Sequence, residues 1–374
     1  MKQNYLKYMS DQISIPAVFM RGGTSKGLLF NKHYLPKDQS ELDKYLLAAM
    51  GSPDLRQING MGGATSVTSK VCIISKSTQK NVDIDYLFAQ VIIDKAKVDY
   101  GPTCGNMLSA VGPFSIENGF IDAKEGETKI IIRSVNTGSL IEAVVPTPNK
   151  KIKYMGDCEI DGVPGKGAPI LLKFKNLVGG ATGKMLPTGK PNITVKGIEV
   201  TCLDISMPIV MAKADDFGIS GNETSNKLNK NLELLKKIEE IRVIAGAQMG
   251  LGDVSGKVIP KFALLSKPLN GGTITSRYFT PNTCHETHAA TGTNCIASAC
   301  LISNTIASQI SQIEVKQENK VTVEHPLGSI DCFVETCLST ADNKNDFIIS
   351  CGIYRTSRKI MDGKIYIPQN INDH

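Results

Sequence analysis

Two nearly uncharged stretches decide how this chain folds: GNMLSAVGPFSIENG (105–119), which follows Cys104, and GTNCIASACLISNT (292–305), which follows Thr291. A helix that is apolar on all of its faces is buried on all of them. Each stretch therefore predicts a core helix wrapped by strands. Each also opens with a glycine and a polar residue, and the two lie about half the chain apart. We interpret them as a weak internal repeat, with one buried helix in each half.

The rest of the chain is dominated by short apolar runs of the kind that form strands. Gly, Pro, Asn and Asp bound these runs, as is typical where a strand gives way to a turn. The runs are AVFM (17–20), VCIIS (71–75), VDIDYLFAQVII (82–93), KIIIRSV (129–135), LIEAVV (140–145), PILLKF (169–174), IEVTCLDI (198–205) and FVETCL (333–338). They predict an α+β fold of two similar domains, each a curved β-sheet or barrel around a central buried helix.

A surface helix is predicted over 224–247. Apolar residues recur there at spacings of three and four, with lysines and glutamates between them, as in a helix with one buried stripe. The stripe comprises Leu228, Leu232, Leu235, Ile238 and Ile241. We expect no chemical role for this helix.

Length and one turn-rich segment predict the division into domains. At roughly 100–200 residues per domain, 374 residues predict two domains. The segment GGATGKMLPTGKP (179–191) lies between the halves and is the predicted hinge. We therefore expect an N-terminal domain over 1–185 and a C-terminal domain over 186–350, with a final segment of about 351–374 that can return to the first domain.

Composition narrows the class of protein. Apolar residues make up 41% and charged residues 21%, an ordinary globular balance. The net charge of +6 forms no concentrated stripe, so no nucleic-acid partner is expected. No apolar run reaches the roughly 18 residues of a membrane span, and the N-terminus lacks the apolar core of a signal peptide. We therefore expect a cytoplasmic protein without a membrane partner.

One cysteine stands apart from the other nine. The chain holds ten cysteines and no Cys-x-x-Cys pair, so reduced, buried thiols are expected rather than a zinc site. Cys104 sits at the predicted start of a helix, where a thiolate is favoured. Cys295 and Cys300 fall inside the second buried helix and are predicted core residues. The five histidines have no acidic partner at ligand spacing, so we expect no metal.

Glycine-rich segments predict sites for an anion. RGGTSKG (21–27) and GMGGATSVTSK (60–70) match neither a phosphate-binding P-loop nor a dinucleotide fingerprint. They are either tight turns or loops whose backbone N–H groups, with Arg, Lys, Thr and Ser, bind carboxylates. The first N–H groups of the two buried helices are also unpaired. Two such helix ends facing each other across an interdomain cleft predict a clamp for a di- or tricarboxylate.

Two residue types near these segments can move protons. Lys70 begins an apolar strand; it is either an exposed edge charge or, if buried beside the thiol, a base. His285 and His288 precede the second buried helix, where a histidine can bind an anion or donate a proton. For His288, substrate binding or helix capping is favoured over the role of a base.

With these residues the sequence resembles a known family, the 2-methylaconitate cis-trans isomerases of the PrpF type, which are related to 4-oxalomesaconate tautomerase and methylitaconate isomerase. The resemblance runs in order through most of the chain. It rests on IPAVFMRGGTSKGLLF (15–30), GMGGATSVTSKVCII (60–74), DYGPTCGNMLSAVGPFSIENG (99–119), GGATGKMLPTGK (179–190), MPIVMAKADDFGISGNE (207–223), THAATGT (287–293) and RTSRKIMDG (355–363).

The resemblance implies a fold like that of diaminopimelate epimerase, with the active site between two domains. It also implies a proton shift on an unsaturated di- or tricarboxylate without a cofactor, with Lys70 as the catalytic lysine and Cys104 as the active-site cysteine. Related epimerases carry a second cysteine where this chain has Thr291. That difference argues against a two-thiol racemase and favours deprotonation and reprotonation from one side.

The substrate-binding residues are predicted in the glycine-rich loops and at the two helix starts. They are Arg21, Gly22, Gly23, Thr24, Ser25, Thr65, Ser66, Ser69, Gly105, Asn106, His288, Thr291, Gly292 and Thr293. Arg355 and Arg358 either close the site or cap a C-terminal strand.

Several alternatives stay open at this point. The substrate is 2-methylaconitate as the first candidate, or 4-oxalomesaconate or methylitaconate. A cofactor-independent epimerase is a second interpretation. A third is a non-catalytic protein that binds a carboxylate or assists an aconitase-like dehydratase. The chain is expected to be a monomer or a homodimer.

Overall fold

The computed structural model describes residues 11–101, 103–280 and 282–370. The chain divides into two compact units. Among the described residues, unit 1 comprises those of 11–159, 165–171 and 355–370, and unit 2 comprises those of 160–164 and 172–354. After the short segment 160–164, the long stretch of the chain that belongs to unit 2 begins at Leu172, ahead of the 185/186 boundary expected from the sequence. The C-terminal return to unit 1 begins at Arg355.

Unit 1 is built from strands and two helices. Strand β1 runs antiparallel to both β2 and β19, β2 is parallel to β3, and β3 is antiparallel to β4. The elements are β1 Gln12–Gly22, β2 Ser25–Asn31, α1 Gln39–Met50, β3 Lys70–Lys76, β4 Ile84–Val91, β5 Val98–Asp99, α2 Gly105–Glu117, β6 Gly126–Ser134, β7 Leu140–Thr147, β8 Cys158–Glu159, β9 Lys166–Gly167, the first residues of β10 Ile170–Lys175, and β19 Ser357–Pro368.

Unit 2 repeats this order of elements. An antiparallel pair is followed by a surface helix, a strand parallel to the second of the pair, an antiparallel strand and a buried helix. The elements are β11 Ile193–Val195, β12 Ile198–Ile205, β13 Met207–Lys213, α3 Ser225–Asn229, α4 Leu232–Gln248, β14 Lys261–Ser266, β15 Ile274–Phe279, α5 Ala290–Ala299, α6 Ile306–Ser311, β16 Glu318–His325, β17 Gly328–Thr336 and β18 Ile348–Arg355. The predicted internal repeat is therefore present in the topology.

Each unit buries one helix against its strands, as the uncharged stretches predict. Helix α2 contacts β1, β2, β3, β7 and β19, and its residues from Met107 to Ser115 are all buried. Helix α5 contacts β12, β13, β16 and β17. Burial of an apolar side chain contributes about 1.5–3 kcal/mol, so these two helices hold their units together. All eight runs predicted as strands coincide with strands, and four of them extend one or two residues past a strand end.

The predicted surface helix over 224–247 is wrong as a single helix. Helix α3 ends at Asn229, and Asn231 caps a separate helix α4 by accepting a hydrogen bond from the Leu234 N–H. The break rotates the start of α4, so Leu232 is 75% exposed rather than buried. Leu228, Ile238 and Ile241 are buried as predicted.

The predicted hinge at 179–191 lies wholly within unit 2. The buried carboxylate of Asp204 holds it, because its Oδ2 accepts hydrogen bonds from the Ala181 N–H at 2.9 Å and the Thr182 N–H at 2.8 Å. Asn345 Oδ1 accepts from the Met185 N–H at 2.8 Å. The turn formers thus build an anchored loop and not the crossing between units.

Candidate active site

The candidate residues of unit 1 gather where several strands end or begin together. In register, Gly22 at the end of β1 pairs with Ser357 of β19 and with Ser25 of β2. Gly27 of β2 then pairs with Lys70, the first residue of β3. Lys70 pairs in turn with Gln90, near the end of β4. The antiparallel and parallel pairings therefore bring one end of five strands, β1, β2, β3, β4 and β19, to a common edge.

Because side chains alternate along a strand, Lys70 lies on the face of β3 that packs against α2. Side chains two residues apart share a face of a strand, so Lys70 lies on the side of Cys72, whereas Val71 and Ile73 belong to the core on the opposite face. Only 9% of Lys70 is exposed. Its Nζ donates a hydrogen bond to Gln90 Oε1 at 2.9 Å and lies 5.0 Å from the centre of the Phe88 ring.

Cys104 is the N-cap of α2 and is 8% exposed. Its carbonyl accepts the Leu108 N–H at 3.2 Å and the Tyr86 hydroxyl at 3.2 Å. Within α2, all of which is described, the Cys104 side chain makes no capping hydrogen bond. The N–H groups of the three residues after Cys104 precede the first intrahelical bond, so the thiol stands beside the positive end of the helix dipole.

The buried thiol of Cys72 links the lysine and the cysteine electrostatically. Burial raises the pKa of Cys72 far above its usual range, and the neighbouring Cys104 raises it further. The Tyr86 hydroxyl and the Lys70 ammonium lower it. Cys72 is 0% exposed and therefore stays a neutral thiol. Lys70 and Cys104 thus both lie near enough to the Cys72 thiol to change its pKa, so the two residues are in one region of unit 1.

The turn at Gly22 and Gly23 holds the start of α2 through Asn106. The Asn106 Nδ2 donates to Thr24 Oγ1 at 3.1 Å, and its Oδ1 accepts from the Arg355 Nε at 3.0 Å. A Cβ on Gly22 would lie 2.7 Å from the Asn106 carbonyl, and one on Gly23 would lie 2.2 Å from Asn106 Oδ1. Gly23 also has a φ of +52°. Both glycines are therefore required for the helix start to approach the strand ends.

The guanidinium group of Arg21 supports this turn through hydrogen bonds within the protein. Its Nη1 donates to the carbonyls of Gly23 at 2.8 Å and Thr356 at 3.0 Å, and its Nη2 donates to Thr356 Oγ1 at 3.0 Å. Burial lowers its pKa, and the nearby Arg358 guanidinium lowers it further. The predicted carboxylate ligand is thus a residue that ties β1 to β19. Ser25, also predicted to bind substrate, is 3% exposed.

The loop 60–69 is held from inside by Gln57, which is 1% exposed. Its Nε2 donates to Ser69 Oγ at 2.7 Å, and its Oε1 accepts the Ala64 N–H at 2.9 Å. Ser69 Oγ in turn donates to the Val91 carbonyl at 2.9 Å. Ser69 is fully buried and bonded within the protein, and its contact with substrate stays a prediction. Thr65 and Ser66 are exposed.

The start of α5 differs from the start of α2. The N-cap is Ala289, so Thr291 is the second residue of the helix and not the counterpart of Cys104 at the cap. Its hydroxyl donates to Met207 Sδ at 3.3 Å. The Thr293 N–H already donates to the Ala289 carbonyl at 2.8 Å, so the unpaired N–H groups are those of Ala290, Thr291 and Gly292.

His288 is buried and hydrogen-bonded inside unit 2, beside the start of α5. It is 2% exposed, its Nε2 lies 3.2 Å from Ser276 Oγ, and its Nδ1 lies 3.0 Å from Thr293 Oγ1. Its ring packs on Tyr278 at 4.6 Å. A Cβ on Gly292 would lie 2.7 Å from the Tyr278 ring, so that glycine allows the contact. The start of α5 has no side-chain capping hydrogen bond, so the capping and substrate-binding roles of His288 both stay predictions.

Sequence reasoning missed four residues that shape this site: Gln57, Tyr86, Gln90 and Arg355 as a partner of Asn106. Alternation along 82–93 places Tyr86, Phe88 and Gln90 on one face of the strand, and this pattern is the sequence signal that could have identified Tyr86 and Gln90. Their partners depend on strand register, which the sequence does not show.

The described ranges contain neither a candidate metal-binding cluster nor a candidate membrane-spanning helix. Within 11–101, 103–280 and 282–370, no group of three or more His, Cys, Asp or Glu residues could hold a metal ion. Over the same ranges, no helix is both long enough and apolar enough to cross a membrane.

Comparison with known proteins assigns the family. A sequence model described as PrpF protein matches residues 12–368. This chain belongs to the PrpF family. Relatives of this PrpF protein cover nearly its whole length. It is 44% identical over 356 residues to the 4-oxalomesaconate tautomerase of Pseudomonas putida, with 95% of this chain and 97% of the relative covered. It is 40% identical over 384 residues to the 3-methylitaconate isomerase of Eubacterium barkeri, with 96% and 98% covered.

A third relative carries the name of the first candidate substrate. The 2-methyl-aconitate isomerase of Shewanella oneidensis is 33% identical over 398 residues, with 97% of this chain and 99% of the relative covered. These relatives are all isomerases, and so is this PrpF protein.

Solved structures confirm the fold. A crystal structure of methylitaconate-delta-isomerase matches with a TM-score of 0.85 at 38% identity, over 97% of both chains. A hydroxyproline epimerase matches with a TM-score of 0.52 at 11% identity, over 95% of this chain and 93% of that chain, which shows the fold alone. The predictions of an α+β epimerase-like fold and of the family are therefore confirmed.

Proposed function

We propose that this chain moves a double bond in an unsaturated di- or tricarboxylate by an allylic proton shift, with 4-oxalomesaconate as the first candidate substrate. The contact that carries the proposal is the buried Lys70 Nζ held by a neutral acceptor, Gln90 Oε1, at 2.9 Å. A lysine paired with a carboxylate would be held as a cation, whereas the amide oxygen of Gln90 can accept a hydrogen bond from the ammonium and from the amine alike. The ranking of substrates follows identity, which is 44% to the tautomerase and 33% to the methylaconitate enzyme.

Lys70 is the proposed base. Its unprotonated amine removes a proton from the carbon adjacent to the double bond, and the electron pair of that C–H bond delocalises into a dienolate. The proton is then returned to the other end of the allylic system, which shifts the double bond. Rotation in the dienolate followed by return to the same carbon gives cis-trans isomerisation instead. A proton shift of this kind needs only a base and an acid, so no cofactor is required.

The start of α2 is the proposed anion site. The N–H groups of Gly105 and Asn106 are unpaired within the helix and lie beside Cys104, so they can stabilise the negative charge of the dienolate. Cys104 supplies or relays the returning proton. Thr24, Thr65 and Ser66 are the proposed polar contacts for the substrate carboxylates. In unit 2, the unpaired N–H groups of Thr291 and Gly292 form a second candidate carboxylate site.

A substrate panel tests the proposal. Purified protein is incubated in D2O with 4-oxalomesaconate, 3-methylitaconate, 2-methyl-cis-aconitate, and cis- and trans-aconitate, and followed by proton NMR. We expect deuterium uptake at the allylic carbon and isomer conversion with one acid. Conversion of 2-methyl-cis-aconitate alone would favour the cis-trans isomerase. The absence of exchange with every acid would contradict the proposal and favour the carboxylate-binding interpretation.

A further inference from the structure

We propose that Gln90 is a positioning residue that holds the Lys70 amine in place without holding its proton, an inference that rests on the proposed role of Lys70 as the base. Gln90 and Lys70 are cross-strand partners on neighbouring strands β4 and β3. Directly opposed side chains on a sheet face lie within contact distance. Nothing in the family comparison assigns Gln90 a role, and the contact follows from strand register alone.

Hydrogen bonds fix the orientation of the Gln90 amide. Its Nε2 donates to the Ser69 carbonyl at 2.8 Å and to the Ser66 carbonyl at 3.1 Å. Both partners can only accept, so the NH2 group must face them and Oε1 must face Lys70. Turning the amide round would place Oε1 against two carbonyl oxygens and would lose the bond to Nζ. The acceptor presented to the lysine is therefore set by the protein.

The neutral acceptor matters for a base. Gln90 Oε1 accepts an N–H from the lysine in either protonation state, because both the ammonium and the amine carry N–H groups. A carboxylate in the same place would favour the ammonium, because an opposite charge at this range typically raises the pKa of an amine by about 1–3. One N–H of Lys70 points at Gln90, so the lone pair of the amine points elsewhere. Gln90 thus sets the direction of the base as well as its position.

The same amide connects the base to the loop 60–69. The carbonyls that orient Gln90 belong to Ser66 and Ser69, which flank the last residues of that loop. Gln57 holds the same loop through Ser69 Oγ and the Ala64 N–H, but among the described residues it makes no hydrogen bond to Lys70. Gln57 is therefore a matched control: a buried glutamine with a structural role in the same loop.

The test measures the protonation of Lys70 directly. Full-length native protein and the variants Gln90→Glu, Gln90→Met and Gln57→Glu are labelled with acetic anhydride over a pH series, and the labelled Lys70 peptide is quantified by mass spectrometry. Exposed Lys76, at the far end of the same strand, serves as the internal reference. We expect the labelling midpoint of Lys70 to rise by about 1 pH unit or more in Gln90→Glu and to stay in place in Gln57→Glu.

Turnover provides the second readout. With the acid that the panel identifies, the rising limb of kcat against pH should move upward in Gln90→Glu by the same amount as the labelling midpoint. Gln90→Met should lower kcat at least about 10-fold, because the base is misdirected. A purely structural role would raise KM or lower stability and leave the pH profile in place.

Three results would overturn the inference. The first is a labelling midpoint of Lys70 that does not move in folded Gln90→Glu. The second is a native kcat in Gln90→Met, and this result tests the inference on its own if Gln90→Glu fails to fold. The third is native exchange in Lys70→Ala. In that case the labelling shift would persist without any effect on turnover, which separates failure of the proposed base from failure of the Gln90 contact.

Discussion

Cys104 is the N-cap of α2, so its thiol lies beside the unpaired backbone N–H groups at the helix start. The helix start is locked on both sides, by Thr24 and Arg355 through Asn106 and by the Tyr86 hydroxyl on the Cys104 carbonyl. Such supports hold a reacting group near one geometry, and this precision is what proton transfer needs.

Replacing this thiol tests its role as proton donor or relay. We expect Cys104→Ala to lower kcat about 10²–10⁴-fold, the usual contribution of a positioned acid, with a smaller change in KM. Cys104→Ser should retain little activity because a hydroxyl is a far weaker acid. Steady-state kinetics checks both.

The matched control is Cys300→Ala. Cys300 is 2% exposed at the end of α5, where burial raises its pKa to about 12. Its removal should leave kcat at the native value. Activity of Cys104→Ala within twofold of native would show that the thiol is dispensable.

At the scale of elements, the approach of α2 to β1 is the contact that assembles the candidate site. It depends on Gly22, because a Cβ there would lie 2.7 Å from the Asn106 carbonyl and 2.9 Å from Met107 Cα. Both neighbours are backbone atoms, so the helix start would have to move as a whole.

We expect Gly22→Ala to lower the free energy of unfolding by about 1–3 kcal/mol, as overpacking does, and to lower kcat further than stability alone explains. Thermal unfolding and kinetics at a temperature where the variant is folded measure the two effects. Gly363→Ala is the control, since no described atom lies within 4 Å of a Cβ built there. Equal behaviour of the two variants would contradict the role given to Gly22.

The elements were largely readable from the sequence because their signals are local. Uncharged stretches predicted α2 and α5, and turn formers bounded the strands. Leu232 was misplaced because Asn231 starts a new helix and resets the periodicity. The hydrogen bonds of Ser69 to Val91 and of Arg21 to Thr356 could not be read from the sequence, because these partners are distant along the chain. Gln90 was missed for the same reason: only the β3–β4 register reveals it.

At the scale of the whole molecule, both units repeat one order of elements but not one set of functional groups. Each has a lysine at the first position of the strand parallel to its leading pair, Lys70 in β3 and Lys261 in β14. Cys104 caps α2, whereas Ala289 caps α5. The repeat therefore supplies the scaffold twice, while the thiol at a helix cap occurs in unit 1.

Lys261 makes stability depend on pH. Burial, together with the charge of Arg242, lowers its pKa to about 8, whereas an unfolded lysine has a pKa of about 10.4. Between these values the unfolded chain binds more protons, so the free energy of unfolding contributed by this group rises with pH. Below about pH 8 the folded protein carries the full penalty of a buried ammonium.

We expect Lys261→Met to be more stable than the native chain at pH 7 by about 1–3 kcal/mol. The difference should shrink between pH 8 and pH 10 as the native lysine loses its proton. Thermal unfolding of both proteins over this pH range measures it. A difference that is constant with pH would show that Lys261 titrates alike in the folded and unfolded chain.

The most direct test of the central claim is the exchange of the substrate's allylic hydrogen in D2O by the native chain, Lys70→Ala and Lys76→Ala. Lys76 lies exposed at the other end of β3, so its removal changes the same strand and the same charge. Circular dichroism confirms that each variant is folded. We predict that exchange is lost in Lys70→Ala and native in Lys76→Ala. Native exchange in folded Lys70→Ala would contradict the assignment of Lys70 as the base.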